Sequence, residues 1–402
     1  MALGAVLFVF FGIRAWRTSR ADCQHFDMVD LRERIVGTRA MSSGLTPYLV
    51  HGPDPYLQDP CAIGPIGAAS RATNPPTAYL FTAPIAGLSY QAAKQAWNVI
   101  QWLALLLAVS ALIAWDVSEI GIVLIGVSIG LLATPPLRLH LERGQMYTIV
   151  LALLAVGSLC HVRYHKPITG GAFYGIVMAA KIVPGVLIVP LVIARQWRAL
   201  FGVVLGLAGM VLLSTALWGI APWRDFFQHF VPGFHRFVPG STTTATWPAA
   251  DNCSMFMPPG LTNATWSVFA SKFRVHLGLV LAVSLASLLM WRQLRASELG
   301  VWWWLWMSIF MQIIGPAMPV YWRYQEVLWI LVLPVTIALY RARRLHPFAI
   351  IALASAFLAV CLQIRDNVAV GLMLVFLFIL AWTASSQEPL MTRSWSGGRT
   401  AL

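Results

Sequence analysis

Long apolar runs recur along nearly the whole chain, and they constrain its fold more than any other feature. Each run has roughly 15–24 residues, close to the length that a helix needs to cross a bilayer. Eleven such segments can be traced: 1–16, 94–115, 118–136, 146–161, 172–194, 199–219, 275–291, 300–319, 325–340, 347–363 and 368–384. Because a helix satisfies its own backbone hydrogen bonds in lipid, the pattern predicts an all-α polytopic membrane protein of about 10–12 transmembrane or half-membrane helices.

The charge balance is strongly basic, with 28 Lys and Arg against 15 Asp and Glu and a net charge of +13. The basic residues lie in short loops beside the apolar runs, a distribution typical of multi-pass proteins whose cytoplasmic loops are positive. We therefore predict a cell (inner) membrane protein whose partners include the lipid bilayer and no nucleic acid. The five cysteines show no metal-binding spacing, so no metal site is predicted.

Simple alternation of eleven spans from an inside start conflicts with this charge distribution. It places the basic clusters at 195–198 and 341–344 outside. The 172–194 segment offers a repair, because Lys181 and Pro184 lie in the middle of its apolar run. Proline breaks the helical hydrogen-bond ladder, and a buried ammonium is costly without a cavity or a partner. We predict that this segment is a pair of half-helices that enters and leaves by the same face.

With this break, every later basic cluster falls inside. The chain then forms a single transmembrane domain over 1–384, with outer loops at about 17–93 and 220–270 and a basic cytoplasmic tail over 385–402. The arginines at positions 14, 17 and 20 remain on the outside in this arrangement, against the charge rule.

The first outer loop contains five of the 15 acids: Asp22, Asp27, Asp30, Glu33 and Asp54. Asp30 and Arg34 are one helical turn apart and can share a face, and flanking arginines keep an aspartate ionised. An ionised, positioned carboxylate can deprotonate a hydroxyl as it attacks a sugar carbon. The alternative is an amphipathic helix on the membrane surface with ordinary salt bridges.

Three further sites combine charge or polarity with apolar surroundings. The Lys181 ammonium can meet a lipid-linked phosphate; alternatively, it reaches the interface or pairs with a carboxylate. In the cluster 321–326, aromatic rings can stack on a sugar and Arg323 can bind a phosphate, or the cluster is part of an aromatic belt. The Gln145 amide either meets a ligand or lies in a plain interhelical turn.

Taken in order, these pieces resemble the family 87 glycosyltransferases, polyprenyl-phosphate-sugar-dependent enzymes of the membrane-embedded GT-C superfamily. The resemblance spans about residues 20–345. The matching residues are Asp30–Tyr48 with its Gly-x-Arg and Gly-x-x-Pro-Tyr, Pro75-Pro76, Ala83-Pro84, Gly144-Gln145, Ala180–Pro184, Arg195–Arg198, Asn252-x-Ser254 and Trp322-x-Tyr324.

The resemblance implies a GT-C-like bundle with an active-site cavity at the outer membrane face. It implies an inverting transfer of mannose, arabinose or a related sugar from a polyprenyl phosphate to a glycan or glycolipid. The family's catalytic acid maps onto Asp30, with Asp27 as the competitor. Two positions depart from the family pattern: Tyr147 follows Met146 where many members carry Asn, and Arg323 stands where His is frequent.

On this hypothesis Asp30 removes the acceptor proton, and fixed cations neutralise the departing phosphate, so no metal is obligatory, although a divalent ion near the acids is left open. The cations are Lys181, Arg323 and either Arg138 or Arg143. The substrate-binding candidates are Arg34, Tyr48, Gln145, Asn252, Trp322 and Tyr324.

Two other functions use some of the same features. A transporter or flippase of lipid-linked sugars needs half-helices around a midplane site, but the chain shows no internal repeat. A lipid-linked glycan polymerase or ligase uses outer loops rich in Arg and His, such as the loop with His229, His235 and Arg236. The acids gathered in one outer loop favour chemistry over transport.

Overall fold

The structure is a computed structural model. It describes residues 28–48, 74–115, 126, 130, 135–181, 183–230, 281, 283–293, 300, 302–317, 323–341, 345, 347–361 and 366–385. Within these ranges the chain forms helices and turns and no strand, which confirms the prediction of an all-α protein. The apolar segment 1–16 and the tail 386–402 lie outside the described residues.

The α-helices are α1 (Val29–Ser42), α2 (Ala83–Ala86), α3 (Tyr90–Trp115), α4 (Pro135–Arg143), α5 (Tyr147–Ser158), α6 (Pro167–Ala180), α7 (Ile188–Ile193), α8 (Trp197–Trp218), α9 (Ala221–Asp225), α10 (Trp302–Ala317), α11 (Leu333–Arg341), α12 (Pro347–Cys361) and α13 (Asp366–Ser385). Residues 283–293 are also helical. Segments of 3-10 helix cover Pro76–Phe81, Val183–Leu187 and Arg323–Val332, and π-helical turns cover Leu159–Arg163 and Phe226–Phe230.

Within the described ranges, α3 and α8 are each long and apolar enough to cross a membrane. The 26 residues of α3 correspond to a length of about 39 Å. Pro136–Arg143 and Tyr147–Arg163 count as a third span if taken together, although the chain bends by 115° between them. Several other helices are apolar but shorter. These features confirm a helical membrane protein, whereas the total number of spans stays a prediction.

The helix break predicted inside 172–194 is present. Helix α6 ends at Ala180, and Lys181 has an extended backbone with φ −145° and ψ 133°. The chain then resumes as the 3-10 helix Val183–Leu187 and continues into α7. Beyond α7, Gln196 Oε1 lies 3.2 Å from His161 Nε2, just before the start of α6. The chain therefore runs from the start of α6 along the bundle to Lys181, and then back to the end of the bundle where α6 began.

Helices α6 and α8 run parallel and pack through glycines. A Cβ atom at Gly175 would lie 2.8 Å from the backbone N of Leu207, and one at Gly206 would lie 2.9 Å from the carbonyl C of Ala172. Small residues let membrane helices approach this closely, and the gain is van der Waals contact along their length. The packing fixes where Lys181, at the end of α6, stands in the molecule.

The contacts between helix ends distinguish two ends of the bundle. At the first end, Arg163 Nη1 donates to the Trp115 carbonyl at 2.6 Å, and α8 begins beside the start of α6. At the other end, Trp218 Nε1 donates to Ser42 Oγ at 3.3 Å, so α8 finishes against α1. We call these the basic end and the α1 end. Exposed basic residues mark the basic end: Arg163, Lys166, Arg195 and Arg198.

The run of tryptophans at the start of α10 lies in the protein core. Trp303, Trp304 and Trp306 are each 0% exposed. The Trp303 indole N–H donates to Ser158 Oγ at 3.1 Å, and the Trp306 indole N–H donates to Gln293 Oε1 at 2.6 Å. Trp303 and Trp306 therefore join α10 to α5 and to the helix over 283–293 through buried hydrogen bonds.

Candidate functional site

Helix α1 docks onto the corner between α4 and α5. The left-handed backbone of Met28, with φ 53°, lets its N–H donate to the Glu142 carbonyl at 2.7 Å. At the corner itself, Gly144 has φ 69°, and a Cβ there would lie 2.7 Å from Leu31 Cβ. Only glycine meets both demands, because an L side chain is strained at this φ and would displace α1. Gly144 thus sets how closely the acid-bearing helix approaches.

A buried cation from α1 and an indole from α3 hold this corner. Arg34 is fully buried, and its Nη2 donates to the Gly144 carbonyl. Trp97 Nε1 donates to the same carbonyl at 3.0 Å, and the Arg34 guanidinium stands over the Trp97 ring at 5.4 Å. Sequence spacing placed Arg34 beside Asp30; in the structure it supports the corner, and a role in substrate binding stays a prediction.

Asp30 lies in the first turn of α1 and forms an ion pair with Arg143, the last residue of α4. Arg143 Nε donates to Asp30 Oδ2 at 2.7 Å, and Arg143 Nη2 donates to Oδ1 at 3.4 Å. Burial raises the pKa of Asp30, but the Arg143 guanidinium beside it and the nearby Arg34 and Lys181 charges bring that pKa below its usual value. The carboxylate is therefore ionised at neutral pH.

Lys181 lies at the α1 end, in the break after α6. Its Nζ donates to Asn74 Oδ1 at 2.9 Å and stands 5.7 Å from the centre of the Tyr147 ring. Its charge also interacts with those of Asp30 and Glu33. Among the described residues, its hydrogen-bond partner is thus a neutral amide, where the sequence had suggested a carboxylate or the lipid interface as the alternatives to a phosphate.

Glu33, Asn74 and Tyr147 belong to this site, although sequence reasoning did not select them as site residues. Glu33 is buried on α1 one turn after Asp30, and its negative charge adds to burial in raising the pKa of Tyr48. The protonated Tyr48 hydroxyl donates to the Asn74 carbonyl at 2.9 Å. The i, i+3 spacing from Asp30 was the available signal for Glu33. For Asn74, the sequence showed only that it begins an Asn-Pro-Pro loop, which does not indicate a site residue.

Gln145 and Arg138 flank the ion pair on the α4–α5 corner. Gln145 is 3% exposed, and its Oε1 accepts no hydrogen bond from the described residues. Arg138 Nε donates to Glu142 Oε1 at 2.7 Å, and its side chain is 49% exposed. A ligand donor that reached this oxygen would satisfy it, because a polar atom left unpaired away from water is costly.

The remaining predicted residues are described in part or not at all. Asp27, Asn252 and Trp322 lie outside the described residues, as do His235 and Arg236. Arg323 and Tyr324 begin the 3-10 helix Arg323–Val332, whose backbone is described and which packs against α4. Within the described parts of the chain, no three His, Cys, Asp or Glu side chains group in a way that could hold a metal ion.

The α1 end of the bundle therefore brings a carboxylate and an ammonium to the same corner: Asp30 pairs with Arg143 at the end of α4, and Lys181 stands over Tyr147 at the start of α5. A carboxylate can accept a proton from a hydroxyl, and an ammonium can neutralise an anionic leaving group. The carboxylate comes from α1, the ammonium from the break after α6, and the Gln145 side-chain oxygen from the α4–α5 corner.

Comparison with known protein families gives one finding. The family model described as "Glycosyltransferase family 87" matches residues 72–316, more than half of the chain. Neither a curated protein nor a solved structure matches the chain. The matched range includes Asn74, Gln145 and Lys181 and begins after α1, so that Asp30 lies outside it.

Proposed function

The chain belongs to glycosyltransferase family 87, and from this membership we propose that it transfers a hexose or pentose from a polyprenyl phosphate, with inversion, to an extracytoplasmic glycan or glycolipid. The observation that carries the proposal is that the Asp30 carboxylate, paired with Arg143, and the Lys181 ammonium, beside the Tyr147 ring, both lie at the α4–α5 corner. This pair offers both the proton acceptor and the countercharge that the reaction needs.

In the proposed reaction, the acceptor hydroxyl oxygen attacks the anomeric carbon while Asp30 takes its proton. The bond from the anomeric carbon to the phosphate oxygen breaks, and its electron pair stays on the phosphate. Lys181, with Arg323 and Arg138, neutralises that charge. Arg143 holds Asp30 by its two hydrogen bonds and so orients the base. Because fixed cations stabilise the leaving group, no metal is obligatory.

The proposed orientation places the α1 end on the extracytoplasmic side of the cell membrane. Exposed Arg163, Lys166, Arg195 and Arg198 at the basic end support this orientation, since positive loops stay cytoplasmic. Residues 1–384 then form one domain and 385–402 an inner tail, as the sequence predicts.

The test uses purified protein in lipid nanodiscs with radiolabelled polyprenyl-phosphate sugars and a membrane glycolipid acceptor. Asp30→Asn keeps the side-chain shape but removes the base, and we expect turnover to fall by roughly 10²–10⁴-fold. Asp225→Asn is the matched control, because both aspartates are 15% exposed and both pair with an arginine. EDTA in a parallel reaction is expected to leave turnover unchanged.

The outcomes separate the candidates. Turnover lost in Asp27→Asn but retained in Asp30→Asn moves the base to Asp27. If no variant or wild-type protein consumes donor, yet label crosses the bilayer of sealed vesicles, the protein is a transporter or flippase and the proposal is wrong.

A further inference from the structure

We propose that Asn74 is a positioning residue that holds the Lys181 ammonium in place for the donor phosphate. The inference rests on the proposed function, because the anion it serves is the phosphate of a polyprenyl-linked sugar. Asn74 would affect phosphate binding indirectly, by holding Lys181.

Asn74 is itself fixed from two directions. The Tyr48 hydroxyl donates to its carbonyl at 2.9 Å. Three residues further on, Thr77 Oγ1 donates to the Ala179 carbonyl at 2.6 Å, which ties this loop to the last turn of α6 just before Lys181. Pro75 keeps the intervening backbone extended, with φ −64° and ψ 157°. Asn74 as a whole is 5% exposed, so its side chain has little freedom to turn away.

The chemistry of Lys181 explains why such an anchor matters. An ammonium has three N–H donors on a long, flexible stem. One of them is donated to Asn74 Oδ1, and no other hydrogen bond joins this ammonium to a described residue. Two donors are thus left for an anion, and Lys181 is half-buried rather than fully enclosed.

The anchor is also neutral. The charged groups whose fields reach Lys181 are Asp30, Glu33, Arg34 and Arg143. Without Asn74, the flexible lysine can swing toward Asp30 or Glu33, and an ion pair there would cancel its charge. An amide oxygen holds the ammonium by a hydrogen bond and leaves its full charge for the phosphate.

The test measures binding of citronellyl phosphate, a short soluble polyprenyl phosphate, to the full chain in nanodiscs; citronellol, which lacks the phosphate, is the reference. Loss of a hydrogen bond to a charged group predicts that Lys181→Met weakens phosphate binding by roughly 10-fold or more. We expect Asn74→Ala to weaken it by about 3–10-fold. Asn74→Asp keeps the acceptor but places a carboxylate on the ammonium, and we expect it to bind more weakly than Asn74→Ala.

The rank order distinguishes positioning from a structural role. If Asn74 only supported the loop, the isosteric Asn74→Asp would be the milder change. Asn98→Ala is the matched control, because Asn98 is also 5% exposed but lies on α3; it is expected to bind citronellyl phosphate as the wild type does. Thermal melting of each variant verifies that it is folded.

Failure of this inference is distinguishable from failure of the proposed function. Wild-type affinity in Lys181→Met refutes the phosphate-binding role of Lys181 and this inference with it. Weak binding in Lys181→Met together with wild-type binding in Asn74→Ala overturns the positioning role alone. Asn74→Asp binding as tightly as wild type, or more tightly than Asn74→Ala, also overturns it.

Discussion

The glycine packing between α6 and α8 predicts that one small substitution has opposite effects at two positions of the same helix. At Gly206 an added Cβ would lie 2.9 Å from the carbonyl C of Ala172 and 3.0 Å from its Cα. At Gly209, three residues along α8, an added Cβ meets nothing within 4 Å. We therefore expect Gly206→Ala to destabilise the protein and Gly209→Ala to leave it as stable or more stable.

The size of the effect follows from which atoms collide. Ordinary Cβ contacts begin at 3.4 Å, and the atom nearest to the added Cβ at Gly206 is the backbone carbonyl oxygen of Ala172, so α6 and α8 have to move apart as whole helices. Overpacking of this kind costs roughly 1–3 kcal/mol, whereas alanine in place of glycine contributes about 1 kcal/mol of helix propensity at either position. The propensity term cancels in the comparison, and the two variants should differ in stability by about 1–3 kcal/mol.

The assay is thermal unfolding of purified protein, followed by the fluorescence of its 18 tryptophans. Wild type, Gly206→Ala and Gly209→Ala are compared in the same detergent or nanodisc. The expected order of melting temperatures is Gly206→Ala lowest and Gly209→Ala at or above wild type. Equal melting of the two variants, or a lower value for Gly209→Ala, would show that α6 and α8 do not pack through this face.

Two further substitutions test the ion pair and the buried core. Arg143→Gln removes the neighbouring charge that lowers the pKa of Asp30, whereas the burial that raises this pKa remains. The acid limb of the pH–activity profile should therefore move to higher pH. The control Arg195→Gln, at the basic end, should leave the acid limb where it is. An unchanged acid limb in Arg143→Gln means that Asp30 is not the base. Ser158→Ala leaves the buried Trp303 indole N–H without its acceptor, and we expect the free energy of unfolding to fall by about 1–3 kcal/mol. A melting temperature equal to that of the wild type would contradict this hydrogen bond.

Sequence reasoning succeeded where the signal was local. Apolar runs predicted a helical membrane protein because run length and hydropathy are properties of one segment. The break in 172–194 was predictable for the same reason, since Pro184 and the charge of Lys181 act on the helix that contains them. The structure places the break at Lys181 itself, where the backbone becomes extended.

The partners of the site residues were not predictable in this way. Helical spacing paired Asp30 with Arg34, yet Asp30 binds Arg143, 113 residues further along the chain, and Arg34 binds the Gly144 carbonyl. Residue spacing shows which side chains lie on the same face of a helix, but it does not show which residues that face contacts. The 115° bend at the α4–α5 corner brings Arg143 to Asp30. The gap between the apolar runs 118–136 and 146–161 indicated a turn there, but not its angle or what it contacts.

The contact between Lys181 and Asn74 illustrates the same limit on a loop. The two residues are 107 positions apart, and the consecutive prolines that follow Asn74 indicate a loop without indicating what it contacts. What joins them is the hydrogen bond from Thr77 to the last turn of α6, which satisfies a carbonyl that the helix itself leaves without a donor. Ending α6 early thus creates both the unpaired carbonyl that recruits the loop and the site for the lysine.

Helix ends also contribute to stabilising two opposite charges in a largely apolar protein. Asp30 stands in the first turn of α1, where the backbone amides give a partial positive charge, and Lys181 follows the last turn of α6, where the carbonyls give a partial negative one. Each charge therefore faces a dipole of the stabilising sign, worth about 0.3–1 kcal/mol at an exposed helix end and more when partly buried. Because these dipoles are fixed by the backbone, they stabilise the charges without reorganising. A base and a cation stabilised in this way are what the proposed transfer of a sugar from a lipid-linked phosphate uses: the base takes the acceptor proton, and the cation neutralises the departing phosphate.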